Sequence, residues 1–297
     1  MCDFQPIAPE HKALFDECLA AEPTESSGSS FGNVFLWDLY CRRNVARLGG
    51  RLGIEFLCPR GPFFAYPSGS GELGEAVDAL RRRAEEAGRP LRLRGLTPDE
   101  RDRLEAACPG AFSFTECRGD FDYVCSVESV AGLAGKKLHG KRNFCHRFEA
   151  QYDWRFAPLT PAEFPDCLTV LDAWSAAHPD TDREEDRAIR RLFALWESLG
   201  MEGGVLYADG EPVAFTAAER LNGSTMDIHF EKAREDIPGA YPMVAREYAR
   251  QVRARHPEVL YLNREEDMDL PNLRRAKEEW HPLFLVKKYT ADWRGKA

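Results

Sequence analysis

Between Gly203 and Glu231 the chain reads as three β-strands in immediate succession, and no other feature narrows its fold as far. The runs Gly203–Tyr207, Pro212–Arg220 and Thr225–Glu231 are separated only by Ala208-Asp209-Gly210 and Leu221-Asn222-Gly223. Such short, Gly-containing connections join antiparallel neighbours. Helical and strand signals alternate on either side. Trp154–Pro158 is a short strand, and Thr160-Pro161-Ala162-Glu163 is a capping box opening a helix to about Ala177. Asp186–Leu199 carries Ile189, Leu192, Phe193 and Trp196 at helical spacing and stops at Gly200. A helix over Ala240–Arg255, a strand over Val259–Asn263, a helix from Pro271 to about Trp280 and a strand over Leu283–Tyr289 follow. Asp292–Ala297 is expected to be a frayed tail. This is an α/β layout of mixed sheets.

The first half is less regular. Helical spacing covers Pro9–Ala21 and Asn33–Arg43, with a Ser/Gly-rich turn at Ser26–Ser30 between them. Strand-like runs at Leu52–Cys58 and Phe63–Tyr66 precede a helix over Glu72–Ala87. Thr97-Pro98-Asp99-Glu100 caps another helix to about Ala107, and two strands near Phe112–Cys117 and Phe121–Val127 follow. A length of 297 residues suits two domains, expected at 1–150 and 151–291 with a tail at 292–297. No apolar run approaches the roughly 18 residues that cross a bilayer. The first residues also lack a charged start followed by an apolar stretch, so a cytoplasmic protein is expected, free or at the membrane surface. Nine cysteines without a Cys-x-x-Cys pair read as reduced thiols, not as a disulfide framework or a zinc site.

A net charge of -9 argues against a general nucleic-acid coat protein. One block runs against that balance. Gly132–Arg147 holds no acid, while Lys136, Lys137, Lys141, Arg142 and Arg147 supply fixed cations beside His139 and His146. It reads either as a solvated linker helix or as a binding site for phosphates. Along Thr225–Glu231, period two places Asp227, His229 and Glu231 on one face. These groups either satisfy one another in the core or line a cleft. In the second case His229 with Glu231 is the candidate general base, because imidazole titrates near neutrality and a carboxylate fixes its tautomer.

Asn263–Asp269 follows a strand and precedes a helix, the place where open α/β sheets bind ligands. Its acids Glu265, Glu266 and Asp267 suit a cationic group, whereas Asp269, Glu278 and Glu279 read as helix-end charges. No spacing suits a calcium loop, and no metal is expected. Arg234-Glu-Asp-Ile-Pro-Gly-Ala240 opens a helix but offers only Gly239 to a diphosphate, and Glu235 and Asp236 would repel one. There is no nucleophile elbow, phosphate-binding Walker loop or dinucleotide fingerprint.

The element order of the second half resembles the GNAT acyltransferase fold. The segments Gly135-Lys-Lys-Leu-His-Gly-Lys-Arg-Asn143, His229-Phe-Glu-Lys232, Asn263–Lys277, His281-Pro282 and Lys287-Lys-Tyr289 resemble the phosphatidylglycerol lysyltransferase C-terminal domain family. That resemblance implies tandem GNAT-like domains and aminoacyl-tRNA as donor, with no bound cofactor and acyl-CoA less favoured. It places donor phosphates or tRNA on Lys136, Lys137, His139, Lys141, Arg142 and Asn143. Proton transfer would fall to His229 and Glu231. The acceptor, a small molecule, peptide or lipid headgroup, would meet Asn263, Glu265, Glu266, Asp267, Arg274, Lys277 and Tyr241. The alternatives are an acyl-CoA-dependent N-acyltransferase and a non-catalytic ligand- or RNA-binding module.

Overall fold

The computed structural model describes residues 3–59, 61–179 and 183–295. The strands are β1 (Gln5–Pro6), β2 (Arg42–Leu48), β3 (Arg51–Leu57), β4 (Phe63–Phe64), β5 (Arg92–Leu96), β6 (Phe112–Glu116) and β7 (Asp122–Ser126). They continue as β8 (Trp154–Pro158), β9 (Glu202–Ala208), β10 (Glu211–Arg220), β11 (Thr225–Ala233), β12 (Tyr261–Asn263), β13 (Phe284–Val286) and β14 (Tyr289–Trp293). Helices α1 (Lys12–Ala21), α2 (Phe31–Leu36), α3 (Leu73–Glu86), α4 (Pro98–Ala107), α5 (Val127–Gly132) and α6 (His139–Gln151) precede α7 (Phe164–Ala177), α8 (Glu184–Ala194), α9 (Trp196–Leu199), α10 (Ala240–Arg255) and α11 (Pro271–Glu278).

Two compact units result. The first comprises Met1–Asp122, Glu266–Leu270 and Val286–Ala297; the second comprises Tyr123–Glu265 and Pro271–Leu285. The division therefore falls at Asp122, not at the expected residue 150. Each unit is built on one mixed sheet, with strand orders β1-β2-β3-β4-β5-β14-β6 and β13-β7-β12-β11-β10-β9-β8.

In the first unit, the helix expected over Glu72–Ala87 is α3, which buries Leu73, Val77, Leu80 and Ala84 at helical spacing. Thr97 and Glu100 close the capping box of α4, with Glu100 accepting from the Thr97 N–H at 2.8 Å. Three expectations fail here. The helical reading of Asn33–Arg43 stops early, because Arg42–Leu48 pairs along its whole length with β3. That hairpin opposes Arg42 to Leu57, so Cys41 and Cys58 form the next cross-strand pair. They are joined as a disulfide with Cα atoms 4.4 Å apart, instead of standing as free thiols.

The third failure is the C-terminus. The expected last strand is two strands in two sheets, and the supposed tail enters the first sheet. Asp292 pairs with Ser113, and Trp293 with Phe112, on one edge of β14, while Tyr289 pairs with Leu96 on the other. Residues 296–297 lie outside the described residues. Just before β14, buried Lys288 donates to Asp122 Oδ1 at 2.6 Å, and Asp122 also accepts from the Ser27 N–H and hydroxyl at 2.9 and 2.8 Å. Burial alone would drive this lysine toward neutrality, but the Asp122 and Glu266 charges outweigh it and hold its pKa above the ordinary value.

The second unit keeps the three strands in series, with β10 antiparallel to both β9 and β11 and β12 added parallel to β11. Met243, Val244, Tyr248 and Val252 of α10 pack into one core with Leu206, Val213, Met226 and Leu262 of the sheet. This apolar contact holds β11 in place and so positions the site.

A chain ending at Lys287 lacks the strand that both β5 and β6 pair with. The first unit is then expected to lose its cooperative thermal unfolding transition in calorimetry, whereas a chain lacking only residues 294–297 should retain it.

Candidate active site

Strand register brings the charged residues together. Glu219 of β10 lies opposite Asp227 of β11, and Asp227 lies opposite Asn263 of β12. Cross-strand partners share a face, so these three polar side chains form one row across the sheet. All three are buried, as is His229, two residues further along β11. Beyond β12 the chain turns sharply. Asn263 Oδ1 accepts from the Glu265 N–H at 2.8 Å, and Glu265 holds a left-handed backbone with φ 57°. Such a conformation costs a non-glycine residue energy and persists only where surrounding contacts impose it. Here it delivers the Glu265 carboxylate to the histidine.

His229 is thereby held at both ends. Nε2 lies 2.8 Å from Glu219 Oε1, Nδ1 lies 3.0 Å from Glu265 Oε1, and Asp227 Oδ2 is 3.9 Å from Nδ1. Burial by itself favours the neutral ring, but the Asp227 charge and the hydrogen bonds to Glu219 and Glu265 outweigh it. The pKa is raised well above 6.5. Two carboxylate oxygens facing the two ring nitrogens call for two N–H donors, so His229 is an imidazolium at neutral pH. Glu219, Asp227 and His229 also offer one ligand atom each within 4.8 Å of one another. A divalent cation would have to displace the imidazolium proton to bind there.

This arrangement corrects the expected pairing of His229 with Glu231. Ile228 pairs with Ala218 and Phe230 with Ala217, which leaves His229 as the extra residue of a β-bulge. A bulge breaks the alternation on which the shared face of Asp227, His229 and Glu231 rested. Glu231 is directed instead to Arg264, whose guanidinium donates to its two oxygens at 2.9 and 3.3 Å. An imidazolium also has no lone pair with which to act as a base.

The basic block is divided between two tasks. Lys141 pairs with Glu279 at 2.9 Å and lies 5.1 Å above the ring of Trp280, whose ring also carries Arg264 at 4.9 Å. Arg142 donates to the Leu133 and Gly135 carbonyls at 2.6 and 3.0 Å, closing the turn before α6. Asn143 contacts His139 at 3.3 Å on the outer face. Lys136 and Lys137 are exposed and, with Leu138, His281 and Leu283, line an open cleft of about 360 Å³.

The acidic run is divided as well. Asn263 and Glu265 belong to the second unit with His229, whereas Glu266 and Asp267 belong to the first. Buried Asp267 accepts from Arg118 at 3.0 Å and from the Asp269 N–H at 2.8 Å, so it is part of that unit's interior. Lys277 donates to the Arg264 carbonyl, and half-buried Arg274 lies on the same helix, α11. Tyr241 occupies the first turn of α10, where burial pushes its phenol up to about 12. Sequence reasoning missed Glu219, Arg264 and Trp280 as members of the site. Glu219 carried a signal, since it lies next to the end of the strand joined by a tight turn to the one bearing Asp227.

Strand β12 runs beside β11 only from Thr225 to Asp227, while β11 continues to Ala233 paired with β10 alone. Among the described residues no strand pairs with that edge beyond Asp227, so β11 and β12 part next to His229. The edge differs from the N-terminus of α10. There a Cβ added to Gly239 would lie 2.8 Å from the Phe144 carbonyl oxygen, and Asp236 pairs with Arg234 at 2.7 Å.

A conserved protein of unknown function from Bacteroides thetaiotaomicron VPI-5482 is 29% identical to this chain, with 99% of this chain and 100% of that one covered at a TM-score of 0.93. L-PGS from Bacillus licheniformis is 14% identical over 99% and 94% of the two chains, at 0.70. FemX is 10% identical over 97% and 96%, at 0.61. The chain thus has an acyltransferase-like fold of two mixed α/β units. The family described as phosphatidylglycerol lysyltransferase, C-terminal, matches residues 21–292, and the chain belongs to it. No curated protein matches it. Among the described residues no helix is long and apolar enough to cross a membrane.

The raised pKa of His229 has a definite sign for stability. The folded state binds this proton more tightly than the unfolded chain, so its contribution is complete below about pH 6.5 and is lost as pH rises through the folded value. His229→Gln should cost about 3–5 kcal/mol in urea unfolding near pH 6, by removing the cation that faces Glu219, Asp227 and Glu265. The gap from the natural protein should narrow at alkaline pH. A gap that stays constant would show that the imidazole is not protonated.

Proposed function

We propose that the protein is an aminoacyltransferase that moves an amino acid from a charged tRNA to an amine or hydroxyl acceptor. The observation that carries this reading is the open edge of β11 beside the caged His229. An acyl ester lying along that edge meets backbone N–H groups, which stabilise the tetrahedral oxyanion that forms when the acceptor attacks. The attacking nitrogen or oxygen must lose a proton, and the departing tRNA hydroxyl must gain one. Glu265 is suited to carry it. Its side chain is 17% exposed where that of His229 is buried, and its carboxylate is an acceptor that His229 orients. In this scheme His229 is a positioning group and Asn263 fixes the turn that presents Glu265.

The donor assignment draws on the family and on the cations left outward-facing near α6. Lys136 and Lys137 line a cleft and suit phosphates. Acyl-CoA is disfavoured by the packed, acid-flanked N-terminus of α10, where a diphosphate would need free N–H groups. The acceptor class stays broad, and membership of a phosphatidylglycerol lysyltransferase family makes a lipid headgroup one candidate within it.

Transfer of radiolabelled amino acid from a panel of charged tRNAs into lipid-extractable and aqueous products tests the proposal. Label should appear in one fraction, and Glu265→Gln should lower the rate by about 100- to 10,000-fold with little change in donor KM. Failure with every charged tRNA would sink the donor assignment. Stabilisation by CoA in a thermal-shift titration would favour the other donor.

A further inference from the structure

Arg264 and Glu265 are neighbours in the chain whose side chains serve opposite sides of one sheet. Glu265 reaches His229 on the side of Asp227 and Glu219. Arg264 lies with its guanidinium 4.9 Å from the centre of the Trp280 ring, and Trp280 belongs to the core that also holds Met226 and Ile228. Those two residues flank Asp227 in β11, and side chains alternate along a strand, so that core is on the other side of the sheet. Arg264 is held there at three points. Its guanidinium donates to both oxygens of Glu231 at 2.9 and 3.3 Å, it stacks on Trp280, and its carbonyl accepts from Lys277. The Arg264 and Glu231 side chains are each only 12% exposed, so water and salt screen their contact little.

Backbone bonds set the path of the turn. The Arg264 N–H donates to the Tyr123 carbonyl at 2.9 Å, and the Glu265 carbonyl accepts from the Tyr123 N–H at 3.3 Å. Neither bond involves a side chain. Glu265 nevertheless keeps a left-handed φ of 57°, which persists in a non-glycine residue only where contacts impose it. A planar fork on a carboxylate fixes orientation as well as distance, and a ring beneath it removes the remaining freedom. We propose that Arg264 is the positioning residue of the site: its fork onto Glu231, seated on Trp280, holds Glu265 in the left-handed conformation and so keeps the Glu265 carboxylate on His229 Nδ1. Glu231 then acts through Arg264, from the far side of the sheet. The effect on turnover rests on the aminoacyl-transfer reading, in which Glu265 carries the proton; the effect on geometry does not.

The test reads the His229 ring directly, by NMR of the full chain labelled with 15N-histidine, beside the rate of transfer from charged tRNA. Arg264→Lys keeps the charge but loses the fork. The double variant Glu231→Leu/Arg264→Met removes the pair without stranding a buried charge, so it should stay folded. In both variants the Nδ1 proton that faces Glu265 should be lost to exchange with water, while the Nε2 proton on Glu219 stays protected. The transfer rate should fall by about 10- to 100-fold with donor KM unchanged, as expected when a reacting group is displaced by about 1 Å. If Arg264 served only to neutralise Glu231, Arg264→Lys and the double variant would both keep the two protons and the natural rate, and the proposal would be overturned with the transfer reading intact. Loss of the Nδ1 proton at an undiminished rate would uphold the positioning and remove Glu265 from proton transfer. Should no charged tRNA support transfer by the natural protein, the two ring protons still decide the proposal by themselves.

Discussion

A buried imidazolium between carboxylates is the interaction on which the second unit turns. Glu219, Asp227 and Glu265 come from β10, β11 and the turn after β12, and none of these segments would carry an acid inside the protein without a cation to meet it. His229 supplies that cation. The fold accepts two local costs to place it: a bulge in β11 that leaves His229 out of the ladder, and a left-handed backbone at Glu265. Cost concentrated at one point, beside the place where β11 and β12 part, is the pattern expected of a site and not of a sheet built only for stability.

The first unit uses a comparable device for a different end. Lys288, Asp122 and Ser27 are far apart in the chain and meet in the interior. A well-packed apolar cluster would be at least as stable as such a pair. The pair fixes Lys288 beside Asp122, one residue before the C-terminal segment enters the sheet between β5 and β6. The disulfide between Cys41 and Cys58 acts on the same unit by tying the ends of the β2–β3 hairpin.

Much of this is legible in the order of residues alone. The three strands in series, the helix over Ala240–Arg255 and the capping boxes at Thr97 and Thr160 follow from local periodicity and cap chemistry, which act within a few residues. His229 and the acids after Asn263 can also be singled out, because polar groups on a central strand and at a strand end stand out against an apolar background. Their partnerships cannot. Period two puts Glu231 with His229, and one extra residue in the ladder sends it to Arg264. The seven-residue acidic run looks like one pocket, yet Glu265 and Asp267 belong to different compact units. The basic block looks uniform, although Lys141 and Arg142 face their own fold while Lys136 and Lys137 face outward.

The sequence by itself determined which segments are helix and which are strand across the second half, where the charges are concentrated, and the family to which those motifs point. These properties depend on neighbours along the chain. Tertiary structure alone decided that the last strand divides between two sheets, that Cys41 meets Cys58, and that His229 is a caged cation instead of a free base. Each of these depends on hydrogen bonds or charges contributed by residues distant in sequence. The protonation of a buried imidazole, in particular, is set by how many carboxylates the fold brings within about 4 Å of it, a quantity that no linear spacing records.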